Sequence, residues 1–220
     1  MPRYYSLLLL LSVFFTPQSW SFSIEEIIAQ PYVSGLVANP QGTRFAWVRE
    51  AAGVRNIWGV DSSNKKTQQL THYEVDTGVN ITLFGFTAEG TSVLYSRGSS
   101  ANAANFASGI PGYTSYALAW PETGSRVKPQ AIGNMSNLSI SPVANEVAYI
   151  QDNAIWSLSL STLQARQEAT ARGTLQAPIY SPDGRSWLFQ TQRRSEGWNY
   201  AFIALYQRDS KTIKYLDASV

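Results

Sequence analysis

The sequence predicts an all-β fold of about four four-stranded repeats, forming an incomplete ring and preceded by one short helix. Three observations predict it. Aromatic residues make up 13% of the chain, with 7 Trp and 12 Tyr, and such side chains suit a pleated, half-buried surface better than a helix. One pattern recurs: an apolar strand, a Pro/Gly-type turn, and a second strand rich in aromatic and β-branched residues. The turn positions 40, 88, 142 and 182 lie 48, 54 and 40 residues apart, and a period of about 40–50 with several strands in each is the mark of β-propeller blades of WD40-like or TolB-like type.

The clearest repeat runs from Ala177 to Phe189 around Ser181-Pro182-Asp183-Gly184. Pro presets φ for the first turn position, Asp bonds the backbone ahead of it, and Gly takes positive φ without steric cost. Altered copies run from Val37 to Val48 around Asn39-Pro40-Gln41-Gly42, and from Leu138 to Ile150 around Ser141-Pro142. A fourth runs from Leu83 to Tyr95, with Ala88 in the Pro position. Such turns between alternating strands are hairpin signals. Each copy has a second half: Asn56-Ile57-Trp58 with Gln68 to Thr71, Tyr116 to Trp120 with Pro129 to Ile132, Ala154-Ile155-Trp156, and Tyr200 to Tyr206 with Ile213 to Leu216. The blades are expected at about 32–72, 79–133, 135–170 and 174–217. A β-sandwich of irregular strands is the alternative; the Ile-Trp strand at one phase argues against it. Trp47, Trp58, Trp156 and Trp187 share that phase and are expected in the inter-blade core.

Residues 1–21 read as a signal peptide. Arg3 gives a positive start, Leu7 to Leu11 with Val13, Phe14 and Phe15 an apolar stretch, and Pro17 a break. Ser19 and Ser21 are the small residues of a cleavage site. Cleavage is expected between Ser21 and Phe22, leaving a periplasmic or secreted protein without a stable membrane anchor. The alternative is an uncleaved anchor, for which the apolar run is about half of the roughly 20 residues needed. Residues 22–31 then hold a short helix, with Ser23 as N-cap, Glu25 and Glu26 in the first turn, and Pro31 ending it. Gly98 to Tyr113, rich in small polar residues, is an insertion within the second blade, either functional or a surface excursion.

Composition removes several functions. A net charge of +2 with no cationic run beyond Lys65-Lys66 and Arg193-Arg194 is too thin for nucleic-acid binding. The absence of Cys excludes disulfides, thiolate metal sites and a Cys nucleophile. One His and no Cys leave a metal to carboxylates alone. Glu25-Glu26 is better read as a helix start, and Asp183 is one carboxylate where calcium takes six to eight oxygens. No phosphate-binding glycine loop occurs, and no cofactor is expected. A serine nucleophile on an α/β-hydrolase elbow needs G-x-S-x-G with a later acid and His. Gly98-Ser99-Ser100 lacks the closing glycine, and His72 precedes every plausible elbow and reads as a surface or packing residue. No catalytic residue is therefore assigned. Trp198, beside a turn, is a candidate contact for a peptide or protein partner.

Asn56-Ile57-Trp58, Gln69-Leu70-Thr71-His72-Tyr73, Ala171-Arg172-Gly173, Tyr180-Ser181-Pro182-Asp183-Gly184, the opening Phe22 to Ile27 and Tyr215-Leu216-Asp217 occur in this order. The set resembles the N-terminal half of bacterial S9 (prolyl oligopeptidase-like) peptidases, in the dipeptidyl- and acylaminoacyl-peptidase branch. The resemblance implies a seven- or eight-bladed propeller that gates substrates of an α/β-hydrolase domain carrying Ser, Asp and His. On that reading the chain stops at Val220, after a fourth blade and before the catalytic domain. It would lack activity alone and would meet a C-terminal half or a second copy that closes the ring. Two other readings stand beside it: a stand-alone TolB-like propeller making periplasmic protein contacts, and an enzyme with an unrecognised site.

Overall fold

The computed structural model describes residues 30–98, 113–122, 124–135, 138–195 and 198–216, together with 23, 24 and 26. The expected cleavage point at Ser21 and Phe22 and most of the Gly98–Tyr113 insertion lie outside the described residues. The chain divides into two compact units, Met1–Gln30 and Pro31–Val220. In the first, Ile24 and Glu26 are helical. The Glu26 N–H donates to Ser23 Oγ at 3.0 Å, and the Ser23 N–H donates to the Glu26 carboxylate at 2.9 Å. This reciprocal pair is a capping box.

The second unit is four antiparallel sheets, each a four-stranded meander. Sheet 1 holds β1 (Tyr32–Ala38), β2 (Arg44–Ala51), β3 (Val54–Asp61) and β4 (Thr67–Gln69). Sheet 2 holds β5 (Ile81–Phe86), β6 (Ser92–Gly98), β7 (Tyr113–Ala119) and β8 (Gln130–Gly133). Sheet 3 holds β9 (Ser139–Ile140), β10 (Glu146–Gln151), β11 (Ala154–Ser159) and β12 (Ala165–Thr170). Sheet 4 holds β13 (Thr174–Tyr180), β14 (Ser186–Ser195), β15 (Trp198–Gln207) and β16 (Thr212–Tyr215). This is propeller-blade architecture in an open array, and among the described residues no apolar layer joins sheet 4 back to sheet 1.

The repeated turn explains why the first hairpin of each sheet forms where it does. Asn39, Thr87, Ser141 and Ser181 each donate their N–H to the carbonyl of the residue that opens the next strand, as in Ser181 N–H to Ser186 O at 2.9 Å. Their side chains add a cap: Asn39 Oδ1 accepts from the Thr43 and Arg44 N–H groups, and Ser181 Oγ accepts from the Ser186 N–H at 2.9 Å. Gly42, Gly90 and Gly184 close three of these turns at φ of 66°, 68° and 70°, a conformation that a β-carbon disfavours. The Ser141 turn has no glycine and bonds differently, with the Glu146 N–H reaching Ala144 O.

Three apolar layers hold the sheets together, and the two-residue period of a strand assigns alternate residues to different layers. Between sheets 1 and 2 lie Ala46, Val48 and Ile57 against Val93, Tyr95 and Leu118. Between sheets 2 and 3, Leu94 meets Val147, Tyr149 and Leu158. Between sheets 3 and 4, Ala148 and Ile155 meet Trp187, Phe189, Ala204 and Tyr206. Gly59 makes the first layer possible: a β-carbon there would lie 2.5 Å from the Trp120 ring.

One expectation about the core is corrected. Trp187 is fully buried and Trp156 packs on the second layer, but Trp47 and Trp58 belong to none of the layers. They pair across β2 and β3 on the face of sheet 1 that no sheet covers among the described residues. Phase fixes the face on which a side chain lies; it does not supply a neighbour for that face.

Candidate functional site

The sheet 1–sheet 2 junction opens into a cleft of about 440 Å³ lined by Thr71, His72, Tyr73, Tyr116, Arg126, Val127, Lys128 and Pro129. One wall is the strap leading from β4 toward β5. Asn56 pins it: its amide accepts from the Tyr73 N–H at 2.8 Å and donates to Tyr73 O at 2.9 Å. Thr71 Oγ1 accepts from the Ile57 N–H at 2.8 Å and bonds Asn56 Oδ1 at 3.0 Å. Its hydroxyl is thereby engaged and is not a free nucleophile.

The floor is phenolic. Tyr73 and Tyr95 share a hydrogen bond of 2.9 Å between their hydroxyls, the Arg97 guanidinium lies 4.1 Å from the Tyr73 ring centre, and Tyr95 stacks on Tyr116. Burial is the leading cause that raises both the Tyr73 and the Tyr95 pKa above the ordinary phenol range, so both stay protonated and act as hydrogen-bonding groups rather than bases. The other wall carries Arg126 and Lys128, both exposed, on either side of Val127, which packs on the first apolar layer. Among the described residues neither cation has an acidic partner. The arrangement suits holding an anionic or carboxylate-bearing ligand against an aromatic floor.

A second cleft of about 360 Å³ at the same junction is lined by Tyr32, Ser34, Val48, Glu50, Arg55, Asn80, Ile81 and Thr82. Its charges are already paired, with Arg55 Nε 2.8 Å from the Glu50 carboxylate, which leaves it less to offer a charged ligand.

The densest polar cluster is at the sheet 3–sheet 4 junction. Arg208 Nη2 lies 2.9 Å from Glu146 and 3.8 Å from Glu168, Nη1 donates to Gly184 O at 3.1 Å, and the guanidinium sits 4.7 Å from the Trp187 ring. The Tyr180 hydroxyl donates to Glu146 at 2.6 Å, and burial followed by that bond pushes its pKa up. Arg166 pairs with Glu168, which also accepts from Ser157 at 2.7 Å. Every charge here is answered by another, so the cluster binds sheet to sheet rather than a ligand.

His72, read from sequence as a surface or packing residue, lines the larger cleft. Trp198 opens β15, its backbone paired with Ser195; its side chain lies outside the described residues. Asp183 closes its own turn, accepting from Ser181 Oγ at 2.6 Å and the Arg185 N–H at 3.0 Å. Among the described residues no three His, Cys, Asp or Glu side chains converge. Arg126 and Lys128 escaped the sequence reading. The signal that marks them is the alternation Arg126-Val127-Lys128, in which the apolar residue turns inward and the cations do not.

No family model matches the chain, and no curated protein matches it in sequence. Its likeness is to solved structures. TolB from Acinetobacter baumannii is 14% identical at a TM-score of 0.55, over 85% of this chain and 44% of that one. A structure from work on two prolyl endopeptidases is 12% identical at 0.61, over 88% and 30%. The tricorn protease is 12% identical at 0.54, over 84% and 16%. The chain thus spans less than half the length of each. The likeness carries the propeller fold and does not separate the S9 peptidase propellers from TolB.

Proposed function

We propose that the chain is the non-catalytic propeller portion of an exported S9-type serine peptidase, acting as its substrate-gating and peptide-binding module, of the dipeptidyl- and acylaminoacyl-peptidase branch. The observation that carries the reading is the sheet 1–sheet 2 cleft, with two unanswered cations over an aromatic floor and no activated nucleophile. The ordered S9-like motifs and the likeness to the prolyl endopeptidase structure support it, and no G-x-S-x-G occurs in the 220 residues. On this reading the ligand is a peptide whose carboxylate meets Arg126 and Lys128. Export as a periplasmic or secreted protein follows from cleavage between Ser21 and Phe22, and the blades span about 32–72, 79–133, 135–170 and 174–217. The likeness to TolB favours a second reading, a stand-alone propeller making periplasmic protein–protein contacts.

Titration of the purified chain with short peptides, beside an assay with a dipeptidyl chromogenic substrate, tests the first reading. Peptide binding without turnover is expected. Arg126→Ala with Lys128→Ala should weaken binding about five- to tenfold while leaving stability within about 0.5 kcal/mol. Peptide amidation should reproduce the loss. Hydrolysis of the chromogen would remove the non-catalytic reading; capture of a folded protein with no affinity for peptides would favour the second.

A further inference from the structure

Tyr73 is held through each of its polar groups, yet one of its hydrogens is left over. The Asn56 amide takes both its N–H and its carbonyl, the Arg97 guanidinium lies over its ring, and its hydroxyl is 2.9 Å from that of Tyr95. Burial decides which phenol donates. Tyr95 is 0% exposed, and among the described residues the only partner of its hydroxyl is Tyr73. A buried hydroxyl that keeps its hydrogen unspent costs stability, so Tyr95 donates and Tyr73 accepts. The hydrogen of Tyr73 is then free to be donated, on a half-buried residue that lines the larger sheet 1–sheet 2 cleft.

The rest of that lining favours one kind of ligand group. Thr71 has spent its hydroxyl hydrogen on Asn56, and His72 carries no negative charge in either protonation state. No Asp or Glu lines the cleft, whereas Glu50 lines the second cleft of the same junction. What remains is a guanidinium, an ammonium and a phenol hydrogen, set around the apolar surfaces of Tyr116, Val127 and Pro129. A carboxylate has two oxygens and about four lone-pair sites, enough for all three donors at once. At the C-terminal end of a peptide that carboxylate shares its α-carbon with a side chain, so an apolar last residue brings both to the lining together. An Asp or Glu side chain carries its carboxylate on a stem with no apolar group beside it. A peptide's N-terminal ammonium would meet two like charges.

We infer that the cleft takes the C-terminal end of a peptide whose last residue is apolar. The α-carboxylate meets Arg126, Lys128 and the Tyr73 hydroxyl, and the last side chain lies on Tyr116, Val127 and Pro129. Tyr73 is on this account a binding residue, and Tyr95 a positioning residue that fills the acceptor side of the Tyr73 hydroxyl and leaves its hydrogen to the ligand. The inference rests on the peptide-binding reading and names the end of the peptide that is held.

Calorimetric titration of the purified chain with four acetylated tripeptides tests it: acetyl-Ala-Ala-Leu as free acid and as amide, acetyl-Ala-Asp-Ala amide, and acetyl-Ala-Ala-Lys free acid. The Leu free acid should bind at least about tenfold more tightly than either amide, and about fivefold more tightly than the Lys free acid. Tyr73→Phe should lower the affinity for the Leu free acid about fivefold and leave that for its amide unchanged. Tyr95→Phe should leave both within about twofold, because Tyr73 keeps its hydrogen. Equal binding of acid and amide, or an Asp amide as tight as the Leu free acid, would overturn the chain-end assignment and leave the peptide-binding module standing. Silence toward all four peptides would remove the module and this inference together. A Tyr73→Phe chain that binds as the parent does, or a Tyr95→Phe chain that loses as much, would overturn the role given to the Tyr73 hydroxyl. Circular dichroism checks folding, and the peptide series on the unaltered chain decides the chain-end assignment whether or not the variants fold.

Discussion

The sheet 1–sheet 2 and sheet 3–sheet 4 junctions are built from the same strand registers, yet they are finished in opposite ways. At the sheet 3–sheet 4 junction Arg208 joins Glu146, Glu168, Gly184 and the Trp187 ring, and Trp187 stacks on Tyr206 at 5.5 Å with Tyr180 edge-on at 5.4 Å. At the sheet 1–sheet 2 junction a different cation, Arg44 at the start of β2, reaches Asp61 at 3.1 Å and Gly90 O at 3.1 Å, and lies farther from its ring, 5.4 Å from Trp120. Both clefts described above flank this second junction. One architecture thus supplies both a sealed joint and an open one; the difference lies in whether the rim charges are satisfied by protein or left for a ligand.

Deleting an indole from each joint breaks the comparison most directly. Trp187→Ala removes a fully buried ring and should cost about 3–5 kcal/mol. Trp187 Nε1 is buried without a hydrogen-bond partner, so its removal returns a little of that loss and places the value toward the lower end. Trp120→Ala removes a half-buried ring packed at 5.6 Å on Phe86 and should cost roughly half as much. Urea denaturation of both variants measures this. Equal losses would mean that the two junctions are equally tight.

Arg208→Met against Arg44→Met sharpens the comparison at the level of charge. Arg208 and Glu146 are each 20% exposed at the side chain, and losing the guanidinium strands Glu146 and uncovers Trp187. A cost of about 1–3 kcal/mol is expected, below that of a fully buried pair because solvent still screens it. The Arg44 side chain is 31% exposed, and its loss should cost about 1 kcal/mol or less. The same denaturation experiment decides the order, and the reverse order would mean that the ion network contributes little.

How much of this was legible in the sequence follows from where pattern carries information. The blade count and the hairpins were legible because Asn39-Pro40, Ser141-Pro142 and Ser181-Pro182-Asp183-Gly184 announce turns by chemistry that depends on local residues alone. The strand β12 was not named from its residues: Ala165-Arg166-Gln167-Glu168-Ala169-Thr170 is an outermost strand, mostly exposed, with no apolar alternation to read. The burial of Trp47 and Trp58 was misread because period-2 phase identifies a face and leaves its covering unspecified. Thr71, His72 and Tyr73 stood out as a motif, but their meeting with Arg126 and Lys128 depends on packing between sheets, which no local pattern encodes.

The smallest effect concerns acid, and it belongs to the open joint. The Asp61 carboxylate accepts from Ser63 Oγ at 2.6 Å, the Ser63 N–H at 3.0 Å and Arg44 Nε at 3.1 Å. These bonds, those from Ser63 foremost, hold its pKa at about 2 against an ordinary 3.8. A carboxyl lowered in the folded state stabilises the fold in its charged form. The contribution is therefore complete above the ordinary value and is lost as pH falls from about 4 through about 2. Carbon-13 NMR titration of Asp61 should give the low midpoint. Ser63→Ala should raise it more than Arg44→Met, because the Ser63 hydroxyl is the largest single cause of the lowering, ahead of the guanidinium, while the turn amide remains in both variants. A parent midpoint near 3.8 would mean that neither partner holds the carboxylate, and a larger shift from Arg44→Met would make Arg44 rather than the Ser63 turn the element that fixes this rim of the cleft-bearing junction.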